Sequence, residues 1–212
     1  LDGDMQRDLN DEILNDAGRW SHDWSYELPN LRSLKIDTGV HDFSFLNAQS
    51  LDDIFMYGAN FVSFKGVGHA RKIEVSVGSY HSLEGLEDSP IEYFSIYYNR
   101  EEGHKPDLSL MPKIPNLKVL RIGSMLTSGH QEQLTGCDQI ERLEAGSYKG
   151  SLGFLKGWES LTELDLRNSG MLEDIEAVES LPNLKRIRLR GSEMKRDTWP
   201  KSLQDVLDYM GT

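Results

Sequence analysis

The sequence predicts an α/β solenoid, because a short apolar frame recurs eight times along most of the chain. Each frame has six residues, with mostly apolar side chains at its first, fourth and sixth positions. Successive frames begin 19 to 26 residues apart. Such a period is typical of stacked repeats, since a single unit cannot bury its apolar side alone. The frames are LRSLKI (31–36), LDDIFM (51–56), ARKIEV (70–75), IEYFSI (91–96), LKVLRI (117–122), IERLEA (140–145), LTELDL (161–166) and LKRIRL (184–189).

The second half of each frame alternates between apolar and polar residues, which indicates a β-strand. We expect the fourth and sixth positions to point into the core, and the third, fifth and seventh positions to point out. The outward surface is called the strand face below. The residues between frames are too few for a full helical crossover, so short 3₁₀, single-turn helical or extended return legs are predicted. The result would be a parallel, concave sheet of about eight strands.

The chain is predicted to be one domain over residues 1–212, with repeats at 28–194 and helical caps at both ends. An amphipathic N-terminal cap is expected at 1–27, because four apolar residues there follow mostly helical spacing: Leu9, Ile13, Leu14 and Trp20. A C-terminal helical cap is expected at 195–212, where Leu203, Val206, Leu207 and Met210 also follow helical spacing. The polar stretch NREEGHKPD, 99–107, predicts a surface loop.

Two segments carry a family resemblance. LTELDLRNSGMLEDIEAVESLPNLKRIRL (161–189) and LPNLRSLKIDTGVHDFSFL (28–46) resemble bacterial leucine-rich repeats of the internalin-like class, which have about 22 residues per repeat. The resemblance implies a leucine-rich-repeat horseshoe. The chain departs from the family pattern at the turn position that usually carries a stacking Asn, where only Asn99 fits. We therefore expect backbone groups or water to supply the turn hydrogen bonds.

Composition narrows the choice of partners and compartment. Lys and Arg total 23 against 35 for Asp and Glu, which gives a net charge of −12. Such a surface repels nucleic acid and anionic membranes and attracts basic partners. No apolar run is long enough to span a bilayer, so no membrane insertion is expected. Cys137 is the single cysteine, which excludes an intramolecular disulfide and favours a reducing, cytoplasmic location.

Charged residues on the strand face are predicted to pair between neighbouring strands, since parallel stacking places equivalent positions side by side about 4.8 Å apart. Four such relationships follow from the frames. They join Asp53 to Lys72, Arg121 to Glu144, Glu163 to both Arg142 and Arg186, and Asp165 to Arg188.

Two groups on this face are candidate partner-binding sites. Arg167 and Arg190 are adjacent at the seventh position with no acid beside them in that column, which indicates an external anion or carboxylate. The alternative is that both side chains are simply solvated. Four aromatic residues on neighbouring frames form the second group, and exposed aromatics are common interface anchors: Phe55, Tyr57, Tyr93 and Tyr97. The alternative is that they cover short neighbours and stabilise the strands.

Groups that could perform catalysis or hold a metal do not form a pattern in this sequence. The six histidines are scattered and have no zinc-binding spacing. GVGHARK, 66–72, matches neither phosphate-binding loop fingerprint. We therefore expect a non-enzymatic protein without cofactor or metal.

The leading hypothesis is a bacterial protein-binding module that recognises another protein through its concave face. In its most concrete form it is an immunity or antitoxin protein that neutralises a basic toxin domain, an assignment that rests on analogy. The alternative is a secreted or surface-attached adhesion module of the internalin-like type.

Overall fold

The computed structural model describes residues 32–36, 52–61, 63–67, 70–80, 82–87, 89–98, 107–123, 126, 128–191 and 199–208. Only the backbone is described at 34, 36, 57–61, 77–80, 98, 128 and 208. The predicted N-terminal cap at 1–27 and residues 99–106 of the predicted loop lie outside these ranges. The described chain divides into two compact units. One holds the residues up to Ile91 together with Tyr97 and Tyr98, and the other holds Glu92–Ile96 and the residues from Asp107 onward.

All eight predicted frames form strands. In the first unit, β1 (Ser33–Ile36), β2 (Asp53–Phe61) and β3 (Lys72–Tyr80) pair in parallel in that order. The pairing of β2 with β3 is irregular at one place: the register shifts between Tyr57 and Ala59 and is restored between Ala59 and Asn60. The strand β4 (Tyr93–Tyr98) begins in the second unit, and its last two residues belong to the first.

The strands of the second unit also pair in parallel and in chain order. They are β5 (Val119–Ile122), β6 (Arg142–Ala145), β8 (Glu163–Asp165) and β10 (Arg186–Arg188), with β4 beside β5. Two further strands, β7 (Gly150–Ser151) and β9 (Leu172–Glu173), form a separate parallel pair between consecutive return legs.

The return legs are short, as predicted. They contain the helices α1 (Ser128–Gln133) and α2 (Glu176–Glu179) and 3₁₀ turns at Met111–Lys113, Gly153–Leu155 and Lys201–Leu203. Each turn places apolar residues behind the strands. Leu152, Phe154 and Trp158 are buried in this way, and the ring of Phe154 meets that of Trp158 edge to face at 5.8 Å.

The fourth and sixth frame positions form the core, which confirms the predicted strand orientation. The buried fourth positions are Ile54, Ile73, Phe94, Leu120, Leu143, Leu164 and Ile187. The buried sixth positions are Met56, Val75, Ile96, Ile122, Ala145, Leu166 and Leu189. Burial of one layer from each strand fixes the register, because a one-residue slip would turn every apolar side chain outward.

The closing segment differs from its prediction. A helix was expected there, but Lys201–Leu203 is a 3₁₀ turn and Leu207–Asp208 is a strand, β11, paired in parallel with β10. The helical-cap prediction is therefore wrong for these described residues. The reason lies at the sheet edge, where the backbone N–H of Ile187 donates to the carbonyl of Val206 at 2.7 Å. The strand β11 therefore satisfies backbone groups at the edge of β10 that a helix would leave unpaired.

Turns after the strands use left-handed residues at one recurring position. Ser147, Asn168 and Gly191 have φ of 60°, 58° and 68°. The residue that follows Ser147, Tyr148, is buried. Its buried hydroxyl accepts a hydrogen bond from Gln131 Nε2 and donates one to the Ser151 carbonyl. These side-chain bonds add to backbone hydrogen bonds of the expected kind at the same turn, where Ser147 N–H donates to the Arg167 carbonyl at 2.9 Å and Gly150 N–H to the Met171 carbonyl at 3.0 Å.

Candidate protein-binding face

The strand face of the second unit has the register that the frames predict. Arg142 lies opposite Glu163, and Glu163 lies opposite Arg186. Both pairs form ion pairs at 3.7 Å, as predicted. The predicted pairs Arg121–Glu144, at 3.5 Å, and Arg188–Asp165, at 3.7 Å, are also present. In the first unit, the ammonium group of Lys72 contacts Glu74 at 2.6 Å, and Asp53 is its neighbour in register.

Additional contacts join these pairs into one network. Arg142 contacts Glu144 on its own strand at 2.6 Å, and Arg188 reaches Glu163 at 3.5 Å. Each carboxylate of the network therefore lies between at least two guanidinium groups. Most of the other ion pairs here exceed hydrogen-bond distance, so they orient the side chains without fixing them as tightly as a hydrogen bond would.

Asp165 lies at the centre of the basic end of this network and is only 2% exposed. Its Oδ1 accepts hydrogen bonds from the Arg167 backbone N–H at 3.1 Å and from Arg167 Nε at 2.9 Å. The premise that Arg167 has no acid beside it is therefore wrong. That premise considered neighbours across the sheet, whereas Asp165 is two residues earlier on the same strand. This hydrogen bond and the charge of Asp165 raise the pKa of Arg167.

Arg190 is adjacent to Arg167, as the frames predict. The N–H of Asn168 donates to the Arg190 carbonyl at 2.9 Å, so the register continues past the end of β10. Arg190 is exposed, and within the described residues it makes no ion pair. Arg167 is also about half exposed despite its bond to Asp165. The two arginines thus form one accessible cationic edge.

The charges of the strand face contrast with the acidity of the whole chain. Strands β5, β6, β8 and β10 and their seventh positions carry six arginines against three carboxylates on this face. These residues are Arg121, Arg142, Arg167, Arg186, Arg188, Arg190, Glu144, Glu163 and Asp165. Asp208 of β11 lies in register with Arg188, and only its backbone is described. The face is therefore net positive on a protein of net charge −12.

The predicted aromatic group is described less completely. Phe55 is partly buried, and Lys72 Nζ lies 5.0 Å from its ring centroid, a cation–π distance. Tyr57 lies in register with Ser76, and only its backbone is described. Tyr93 is partly buried on β4, whereas Tyr97 on the same strand is 57% exposed. A role of these four residues as one binding cluster remains a prediction.

The thiol of Cys137 is not placed to act as a nucleophile. Cys137 is buried, and burial, followed by the charge of Asp138, raises the pKa of its thiol to about 12. Among the described residues, no group of three or more His, Cys, Asp or Glu side chains is placed to hold a metal ion. Helices of the length and apolarity that crossing a membrane requires are not found among these residues either.

These repeats define a leucine-rich-repeat α/β solenoid: parallel frame strands, short return legs and a core built from the fourth and sixth positions. Comparison with solved structures agrees. The chain is similar to the crystal structure of internalin C2 from Listeria monocytogenes, with a TM-score of 0.54 and 18% identity over 81% of this chain and 78% of that one. It is also similar to internalin F from the same organism, with a TM-score of 0.44 and 17% identity over 87% and 69% of the two chains. No protein-family model and no curated protein matches the sequence.

Proposed function

We propose that this protein is a non-enzymatic binding module that recognises another protein through its strand face. The observation that carries the proposal is the row of charged side chains from Arg121 to Arg190, in which each carboxylate holds neighbouring arginines in place. Side chains that are ordered before binding lose less entropy when a partner docks. Such a surface therefore suits recognition.

The more specific role we propose is that of an immunity or antitoxin protein, which binds a toxin and blocks it inside the producing cell. The support is the solenoid fold and the net charge of −12. That charge would accelerate encounter with a toxin domain that is basic overall. A cytoplasmic location belongs to the same proposal.

The test is an affinity pull-down from the native cell, followed by mass spectrometry. The wild-type protein is compared with Tyr57→Ala/Tyr97→Ala and with Arg167→Glu/Arg190→Glu. A matched control, Lys113→Glu/Lys156→Glu, changes the charge equally at two exposed positions on return-leg turns. We expect both strand-face variants to lose the partner and the control to retain it.

Retention of the same partner by both strand-face variants would contradict the proposed face. The identity of the partner then tests the specific role. A co-purified toxin whose toxicity is suppressed by co-expression supports immunity, whereas capture of a host-surface protein would favour an adhesion module instead.

A further inference from the structure

We infer that the arginine end of the strand face binds an extended acidic segment of the partner, with carboxylates at alternate positions. This inference rests on the proposed function and adds the chemistry of the docking segment. Its central residues are Arg167, Arg186 and Arg190, and Arg188 lies between the last two.

Spacing is the first support. Arg186 and Arg188 alternate along β10, where alternate Cα atoms lie roughly 6.6 Å apart, and Arg190 continues the alternation just past the end of the strand. An extended peptide presents alternate side chains at the same interval. Arg167 lies one strand away from Arg190, at about 4.8 Å, and widens the site laterally.

Available hydrogen-bond donors are the second support. Arg186 reaches Glu163 only at 3.7 Å, which is beyond hydrogen-bond distance, and its side chain is about half exposed. Arg190 makes no ion pair within the described residues. Arg167 uses its Nε for Asp165, so its two terminal nitrogens can form a paired contact with a carboxylate.

Access is the third support. The neighbour of Arg167 on the side away from Arg190 is Gly146, which has no side chain to cover it. A Cβ atom built at Gly146 would lie 3.6 Å from the Arg167 carbonyl, so the two residues are in direct contact across the sheet. Gly146 therefore places no side chain beside Arg167, whose own side chain is 49% exposed.

The arrangement favours a carboxylate-bearing peptide over a nucleic acid. Glu163 and Asp165 lie among the arginines, and they would repel the closely spaced phosphates of a polynucleotide. An acidic segment with charges at alternate positions can place its carboxylates over the arginines and its neutral residues over the two acids. The net charge of −12 acts in the same direction, because it repels a long polyanion more than a short acidic stretch.

The experiment measures fluorescence anisotropy of a labelled eight-residue peptide with glutamate at every second position and serine between. We expect saturable binding at low ionic strength that weakens as salt is added. Arg186→Gln/Arg190→Gln should reduce the affinity by about fivefold to tenfold, since two exposed charge contacts are lost. The control Lys113→Gln/Lys156→Gln carries the same change in charge and should stay within about twofold of wild type. Circular dichroism melts confirm that each variant is folded.

Three outcomes would overturn the inference: no binding of the glutamate peptide, equal losses in the test and control variants, or tighter binding of a ten-nucleotide oligothymidylate of the same label. A lysine peptide of equal length serves as the charge-reversed probe and should not bind this site. The inference and the proposed function can fail separately. A partner that is lost from Tyr57→Ala/Tyr97→Ala but retained by Arg186→Gln/Arg190→Gln would preserve strand-face recognition and refute the acidic segment.

Discussion

One carboxylate oxygen of Asp165 accepts two hydrogen bonds from Arg167, one from the backbone N–H at 3.1 Å and one from Nε at 2.9 Å. The second oxygen of the same carboxylate faces Arg188 at 3.7 Å. A single buried acid thus sets the positions of arginines on two strands, and the chemistry of the strand face depends on it.

Replacing Asp165 with Ala should destabilise the protein by about 1–3 kcal/mol, because buried hydrogen bonds are lost and two arginines lose their acid. Urea denaturation followed by circular dichroism measures the free energy of unfolding. Glu159→Ala, at an exposed return-leg position, is the control and should change it by less than about 0.5 kcal/mol. Equal values for the two variants would show that Asp165 does not organise this network.

Tyr148→Phe should cost about 1–2 kcal/mol, because the buried hydroxyl binds both Gln131 and the Ser151 carbonyl and its loss leaves those groups unpaired. The matched change Tyr97→Phe removes a hydroxyl from a largely exposed ring and should alter stability by less than about 0.5 kcal/mol. Thermal and urea unfolding of both variants provides the comparison. A Tyr148→Phe variant with the same free energy of unfolding as wild type would show that the turn does not need this hydroxyl.

Leu207→Ala tests whether Leu207–Asp208 forms a strand. Leu207 is buried and lies in register with Ile187, whereas Val206 is only partly buried. Truncating Leu207 should therefore cost about 2–3 kcal/mol, and Val206→Ala less than about 1 kcal/mol. In a helix, both residues would share the apolar side. Similar losses of stability in the two variants would thus contradict β11.

Gly85→Ala and Gly136→Ala separate backbone strain from lack of space. Both glycines have positive φ, +100° and +84°, but a Cβ at Gly85 would lie 2.6 Å from backbone atoms of Phe64 and Lys65, while one at Gly136 meets nothing within 4 Å. We expect a loss of about 1–2 kcal/mol at Gly136 from strain alone and about 3 kcal/mol or more at Gly85. The midpoints of urea denaturation show which variant is less stable. A smaller loss of stability for Gly85→Ala than for Gly136→Ala would contradict the close packing of Gly85 against Phe64 and Lys65.

Cys137 should resist alkylation in the folded protein. Its pKa is raised from 9.0 to about 12, so little thiolate forms at about pH 8, and burial also blocks the reagent. Iodoacetamide labelling followed by intact mass should proceed only after guanidinium chloride is added. Rapid labelling of the folded protein would revive the possibility of a reactive thiol.

The same shift in pKa predicts a pH dependence of stability. The unfolded thiol loses its proton near pH 9, while the folded thiol keeps it to about pH 12. The stabilising contribution is therefore complete below pH 9 and is lost as the pH rises toward 12. The difference in free energy of unfolding between wild type and Cys137→Ala should shrink over that window. A difference that is constant with pH would contradict the shift.

The ion pairs of the second unit could be predicted from the sequence because they depend only on the register of neighbouring strands. Once equivalent frame positions stack in parallel, Arg142 must lie beside Glu163 and Arg188 beside Asp165. The hydrogen bond that Arg167 donates to Asp165 could not be predicted in this way. Whether a strand-face acid turns toward solvent, a neighbouring strand or its own strand depends on how deeply the surrounding side chains bury it.

The sequence by itself determined the solenoid, the inward and outward positions and the neighbours across the sheet, since periodic burial of one apolar layer permits a single register. Only the tertiary structure decided that β11 pairs with β10 and that Arg167 is held by a buried acid. At both places the local pattern was compatible with another arrangement. The choice followed from a long-range requirement: backbone groups at the edge of β10 needed partners, and the charge of Asp165 needed compensation away from water.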